Sequence, residues 1–132
     1  MPESCVVNWG MDLNAALDKT FGAAEAGDWD TFRSMFADDA VMKQNVGAEQ
    51  SIEAAMKTLP LFTAGGTTLR YENVRRVSGD QNVTEIHDAV FTKPDGRVIR
   101  IDICVVVQFN ADGKIVRTDE YLDSAAAAAL LR

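Results

Sequence analysis

Over the first half of the chain, apolar residues recur every three or four positions; beyond Gly65-Gly66 they recur every second position. The first pattern predicts helices. Asp12 caps one in which Leu13, Leu17, Phe21 and Ala24 share a face, and Gly27 ends it. Asp28 caps a second, shorter helix with Trp29, Phe32, Arg33 and Phe36 on one side, Phe32 and Phe36 anchoring the core. Asp38-Asp39 breaks it before a short extended piece, Ala40 to Met42. A third helix fits Ser51 to Leu59, where Ile52, Ala55, Met56 and Leu59 keep helical spacing and Pro60 marks the end.

The second pattern predicts antiparallel sheet. Leu69, Tyr71, Asn73, Arg75 and Val77 alternate with Arg70, Glu72, Val74 and Arg76 up to a Ser78-Gly79-Asp80 turn. Val83 to Phe91 follows, closed by Lys93-Pro94-Asp95-Gly96. Val98 to Phe109 is a long β-branched strand, and Asn110-Ala111-Asp112-Gly113 turns it into Ile115 to Leu122. Helices followed by a four-strand meander make an α+β fold, because no helix separates the later strands. The alanine-rich tail, Ser124 to Arg132, can form a short helix only if it docks.

Composition narrows the class. The 132 residues fit one domain, 1–132, large enough for its own core. Twenty acidic and thirteen basic residues give a charge of −7, which repels phosphate backbones and anionic membranes. The opening Met1-Pro2-Glu3-Ser4 lacks the pattern of a signal peptide, and no apolar run is long enough to span a bilayer, so a cytoplasmic protein is expected. Cys5 and Cys104 have no metal-ligand spacing and are too few for a disulfide framework.

Two stretches carry a family resemblance. Ala26-Gly27-Asp28-Trp29-Asp30 leads into Phe36-Ala37-Asp38-Asp39-Ala40-Val41, and Asn110-Ala111-Asp112-Gly113-Lys114-Ile115 leads into Asp119-Glu120-Tyr121-Leu122-Asp123. With the element order over about residues 10 to 124, they resemble the nuclear transport factor 2-like superfamily. That group includes ketosteroid isomerases, limonene epoxide hydrolases and SnoaL-like polyketide cyclases. The resemblance implies three N-terminal helices packed on a strongly curved, mainly antiparallel sheet, a cone-shaped barrel with an apolar pocket open at one end. Fold alone does not assign a reaction.

Against the ketosteroid isomerase pattern, Gln44 stands where the general-base aspartate belongs, and the other two functional groups would fall near Val105 and Thr20. The limonene epoxide hydrolase pattern is better kept. Thr84-Glu85-Ile86-His87-Asp88 is similar to the strand carrying an arginine and then an acid; Asp88 matches the acid and Ile86 replaces the arginine. Glu120 is similar to the second carboxylate, Met42 stands at a tyrosine, and Gln44 or Asn45 supplies a water-positioning amide.

Alternation tests those assignments. Ile86, Asp88 and Val90 share one face, while Glu85, His87, Ala89 and Phe91 share the other; Val116, Thr118, Glu120 and Leu122 share a face of the last strand. The comparison turns Asp88 and Glu120 into the pocket, and a one-residue slip would reverse both. Two carboxylates in a poorly hydrated pocket split into an acid and a base. His87, the only histidine, takes the role if a bulge turns it inward. Trp29, Phe32, Met42, Met56 and Tyr71 are core or pocket wall, with Ile86 beside Asp88.

The expected function is cofactor-independent and metal-free acid–base chemistry of isomerase, cyclase or epoxide hydrolase type on an apolar small molecule. The alternative is a module of the same fold that binds a small ligand or dimerises without turnover. Neither nucleic acid nor membrane is expected as a partner. Ile103, Val105 and Val107 oppose Cys104 and Val106, so both faces of one strand are apolar. A homodimer through the outer face of the sheet would cover the second.

Overall fold

A computed structural model describes residues 12–130. Met1 to Ser4, Cys5 and the last two residues of the tail lie outside the described residues. Helix α1 (Leu13–Ala26) starts where the Asp12 carboxylate accepts the Ala15 N–H at 3.0 Å. It stops at Gly27, whose φ of 70° is the left-handed conformation in which a side chain would be strained. Leu17, Thr20, Ala23 and Ala24 form its buried stripe. Helix α2 (Trp29–Ser34) is capped in the same way by Asp28.

Two helices are shorter than their periodicity predicts. Phe36 opens β1 (Phe36–Gln44) instead of closing α2. Its neighbour Met35 accepts the Ile115 N–H through its carbonyl at 2.9 Å, so a long-range contact ends the helix. After the two-residue β2 (Gln50–Ser51), the third helix, α3, covers only Ile52–Ala55. Pro60 has no N–H to donate back to Met56, and the chain restarts as a kinked 3₁₀ segment, Leu59–Gly66.

The rest follows the predicted meander: β3 (Thr68–Ser78), β4 (Asn82–Thr92), β5 (Val98–Phe109) and β6 (Ile115–Leu122), each antiparallel to the next. The tail docks as α4 (Ser124–Ala129), capped by Asp123. Strand β1 joins parallel to β6, so the six-stranded sheet runs β2-β1-β6-β5-β4-β3. The architecture is α+β with a mostly antiparallel sheet. Its inner face supplies Leu69, Val83, Ile101, Val105 and Val107, which pack with Leu17, Phe32 and Ile52 in one core. No helix among the described residues is long and apolar enough to cross a membrane.

Candidate functional site

Strand β4 pairs with β5 without interruption from Asn82↔Gln108 to Thr92↔Val98. Its faces therefore alternate strictly. Val83, Glu85, His87, Ala89 and Phe91 point into the core, and all are buried. Ile86 and Asp88 take the opposite face, which corrects the expectation that they line the pocket: Ile86 is 37% exposed. No bulge in β4 was needed to turn His87 inward. The strand enters the sheet in the other register from the one the family comparison suggested.

On that outer face Asp88 has structural partners. The Asn73 amide donates to it at 2.8 Å and Arg100 at 3.2 Å. Hydrogen bonds from Asn73 and from neighbouring Asp102, then the Arg100 charge, hold its carboxyl below the ordinary range. The same contact raises Asp102. The pair of acids in one pocket, Asp88 with Glu120, does not exist.

The bulge lies in β3. Glu72 pairs with Asp88 and Arg75 with Ile86, so β3 spends one residue more than β4 over this step. Asn73 absorbs it with a φ of 56°, a conformation asparagine tolerates better than most residues. The consequence is a change of parity. Tyr71 before the bulge and Arg76 after it, five residues apart, both reach the inner side, where Arg76 pairs with Glu85.

Inside, Arg76, Glu85 and His87 form a paired row. The Arg76 guanidinium donates through Nε to Glu85 Oε1 at 2.6 Å, through Nη1 to the Asn14 carbonyl at 3.0 Å, and pairs with Asp18 at 2.8 Å. The other Glu85 oxygen, Oε2, is hydrogen-bonded to His87 Nδ1. Glu85 and His87 are each 1% exposed. The imidazole lies tilted against the Tyr71 ring at 4.5 Å, with Phe21 edge-on at 5.1 Å.

The same sheet row continues from Arg76 and Glu85 through Val105 to Glu120 on β6 and Gln44 on β1. Glu120 lines three adjoining lobes of about 110, 160 and 80 Å³. In the lobe closed by Ala127 and Leu130, the apolar wall carries Trp29, Phe62, Leu69, Phe91 and Ile101. Tyr71 shares two lobes with Glu120. Burial in this wall pushes the Glu120 carboxyl up, and the His87 charge offsets part of that. Burial, and then the charges of Glu120, Glu25 and Glu85, push the Tyr71 phenol well above its ordinary range, so it stays a proton donor.

The Glu120 carboxyl, the Tyr71 hydroxyl and His87 Nε2 have no hydrogen-bond partner among the described residues. No such unpaired atom is sealed from solvent. Glu120 and Tyr71 are half-buried, and His87 is buried. The free valences of Glu120 and Tyr71 are left to whatever enters the cavity, whereas His87 lines none of the lobes.

Of the remaining expected residues, Trp29, Phe32, Met42 and Gln44 line the lobes. Met56 packs against the core and lines none of them. Asn45 is not a water-positioning amide. With a φ of 52°, it receives the Leu122 N–H at Oδ1 and donates through Nδ2 to the Leu122 carbonyl, both at 3.0 Å. It clamps the end of β6. Among the described residues, no group of three or more His, Cys, Asp or Glu side chains is arranged to hold a metal ion.

Comparison with known proteins agrees with this architecture. The profile of the SnoaL-like domain matches residues 17–118. IdmH from Streptomyces antibioticus, a candidate polyketide cyclase, superposes with a TM-score of 0.74 at 19% identity over 92% of this chain and 99% of its own. A candidate polyketide cyclase from Xanthomonas campestris pv. campestris gives 0.74 at 15% identity over 91% and 96%. An LEH-like epoxide hydrolase from M. tuberculosis gives 0.70 at 17% identity over 90% and 88%. At these identities the likeness is one of fold. No curated protein matches the sequence.

Proposed function

This chain belongs to the SnoaL-like domain family, and from that premise we propose that it transfers protons at an apolar carbonyl compound, as an isomerase or cyclase. The observation that carries the reading is the unpartnered Glu120 carboxyl and Tyr71 hydroxyl, which share two mainly apolar lobes, with Glu120 common to every lobe. A carboxyl raised toward the working pH exchanges protons with a carbon acid more effectively than an ordinary one. Glu120 takes the proton from the carbon next to the carbonyl, the Tyr71 hydroxyl donates a hydrogen bond to the enolate oxygen, and Glu120 returns the proton elsewhere on the molecule. His87 packs one ring deeper, against Tyr71. Trp29, Phe32 and Met42 shape the apolar wall, and Gln44 stands at its polar edge.

Epoxide hydrolysis is the less suited of the two chemistries. Gln44 could still hold a water, but Ile86 stands in place of the epoxide hydrolase pattern's arginine, and that pattern's acid, Asp88, lies on the outer face bonded to Asn73. No step calls on a cofactor, and the setting is cytoplasmic. The reading takes the sheet to wrap the cavity as a cone, as the family resemblance implies. It includes a homodimer through the outer face, where Ile86, Cys104 and Tyr121 lie side by side on three neighbouring strands. Ile86 and Tyr121 are both exposed.

The test uses 2-tetralone, an apolar ketone with acidic α-hydrogens, in deuterated buffer. The protein is expected to accelerate deuterium incorporation at the α-carbons above the buffer rate, followed by proton NMR. Binding of the ketone, seen by quenching of tryptophan fluorescence, with exchange at the buffer rate would replace the enzyme reading with a binding module.

A further inference from the structure

The proton-transfer reading leaves Glu85 and Arg76 unused, although they are the most enclosed arginine–carboxylate pair among the described residues. Arg76 is 17% exposed and Glu85 1%. A guanidinium can only donate. Arg76 Nε–H therefore fixes Glu85 Oε1 as an acceptor, at 2.6 Å. The guanidinium is itself held from α1 by Asp18 and by the Asn14 carbonyl. A carboxylate gripped in this way turns its remaining oxygen, Oε2, to His87 Nδ1 as a second acceptor. Nδ1 then has to supply the hydrogen. In a neutral imidazole, a proton on Nδ1 leaves the lone pair on Nε2, and Nε2 is the nitrogen without a partner among the described residues.

We propose that Glu85, locked by Arg76, is a positioning residue that fixes the tautomer of His87, with the proton on Nδ1 and Nε2 held as a proton acceptor beneath the Tyr71 ring that lines the cavity. The Asn73 bulge is part of the device, because without it Arg76 would fall on the outer face. When Nε2 gains a proton, the imidazolium keeps its Nδ1–H bond to Glu85, and the Arg76–Glu85–His87 row remains paired throughout. The inference deepens the proton-transfer reading but is measured without turnover.

His87 is the only histidine of the chain, so its ring nitrogens give the only imidazole ¹⁵N signals of the tag-free protein. At mildly alkaline pH the wild type is expected to show a protonated, pyrrole-type Nδ1 and a bare, pyridine-type Nε2. The isosteric Glu85→Gln makes a sharper demand. Arg76 can bond only the new carbonyl oxygen, so the amide NH₂ faces Nδ1 and donates to it. Nδ1 then becomes the acceptor, and the ring proton moves to Nε2. The two ¹⁵N signals should exchange character.

A wild-type ring with its proton on Nε2, or with both nitrogens protonated at that pH, would overturn the proposal. So would a folded Glu85→Gln protein whose proton stays on Nδ1. If that variant does not fold, the wild-type spectrum alone decides. A correct tautomer in a protein that exchanges no α-hydrogens would leave the paired row standing and refute only the enzyme reading.

Discussion

Glu120→Gln should make the protein more stable at neutral pH while removing its proposed chemistry. The Glu120 carboxyl faces an apolar wall, has no hydrogen-bond partner among the described residues, and is pushed up from its ordinary value of 4.5 by burial. The folded state therefore holds a proton that the unfolded chain has already released. Stability falls as pH rises through the unfolded value, and it goes on falling until the folded carboxyl ionises. Each pH unit in that window costs about 1.4 kcal/mol. At pH 7 the loss cannot exceed about 3.4 kcal/mol, which is that slope taken from 4.5 upward. Glutamine, always neutral, escapes it.

Urea unfolding of both proteins between pH 4.5 and 8 reads this directly. The difference should be near zero at the acid end and grow in favour of the variant toward the alkaline end, staying within that bound at pH 7. A constant difference, or a variant that loses stability as pH rises, would show that Glu120 is solvated and the cavity argument mistaken.

Glu85→Ala should destabilise by about 3 to 5 kcal/mol in the same assay, because it strands Arg76 and His87 without their buried partner; a loss below about 1 kcal/mol would deny the paired row its enclosure. Asn45→Ala removes two hydrogen bonds to Leu122 and should cost about 1 to 3 kcal/mol, whereas an unchanged unfolding midpoint would mean that β6 holds its end without the clamp. In light scattering the protein should run at twice its 14.4 kDa chain mass, and Tyr121→Lys should halve that. A wild type of 14.4 kDa would remove the dimer.

The meander and the first two helices were legible because caps, turns and alternation agreed there. Asp12, Asp28, Gly27 and the turns after Phe91 and Phe109 stand where local chemistry puts them. What failed was contact across the chain. Phe36 has helical spacing from Phe32, yet the pairing of β1 with β6 decides its state. The choice of face on β4 was evenly balanced in the sequence, since Ile86 and Val90 flank Asp88 as plausibly as Ala89 and Phe91 flank His87. Glu85 and His87 could be seen to share a face. Arg76 could not be added to them, because simple alternation puts Arg75 beside Tyr71. The one local signal was Asn73 in a strand interior, followed by Val74-Arg75-Arg76-Val77, which alternates poorly.

The central claim is that the chemistry belongs to the inner face, at Glu120, and not to Asp88 on the outer one. Deuterium exchange of 2-tetralone, measured side by side for wild type, Glu120→Gln and Asp88→Asn, tests it most directly. The account predicts that Glu120→Gln slows the catalysed exchange by about 10² to 10⁴, the span typical of a general acid–base group, while Asp88→Asn stays close to wild type. Loss of exchange in Asp88→Asn with Glu120→Gln unaffected would contradict it.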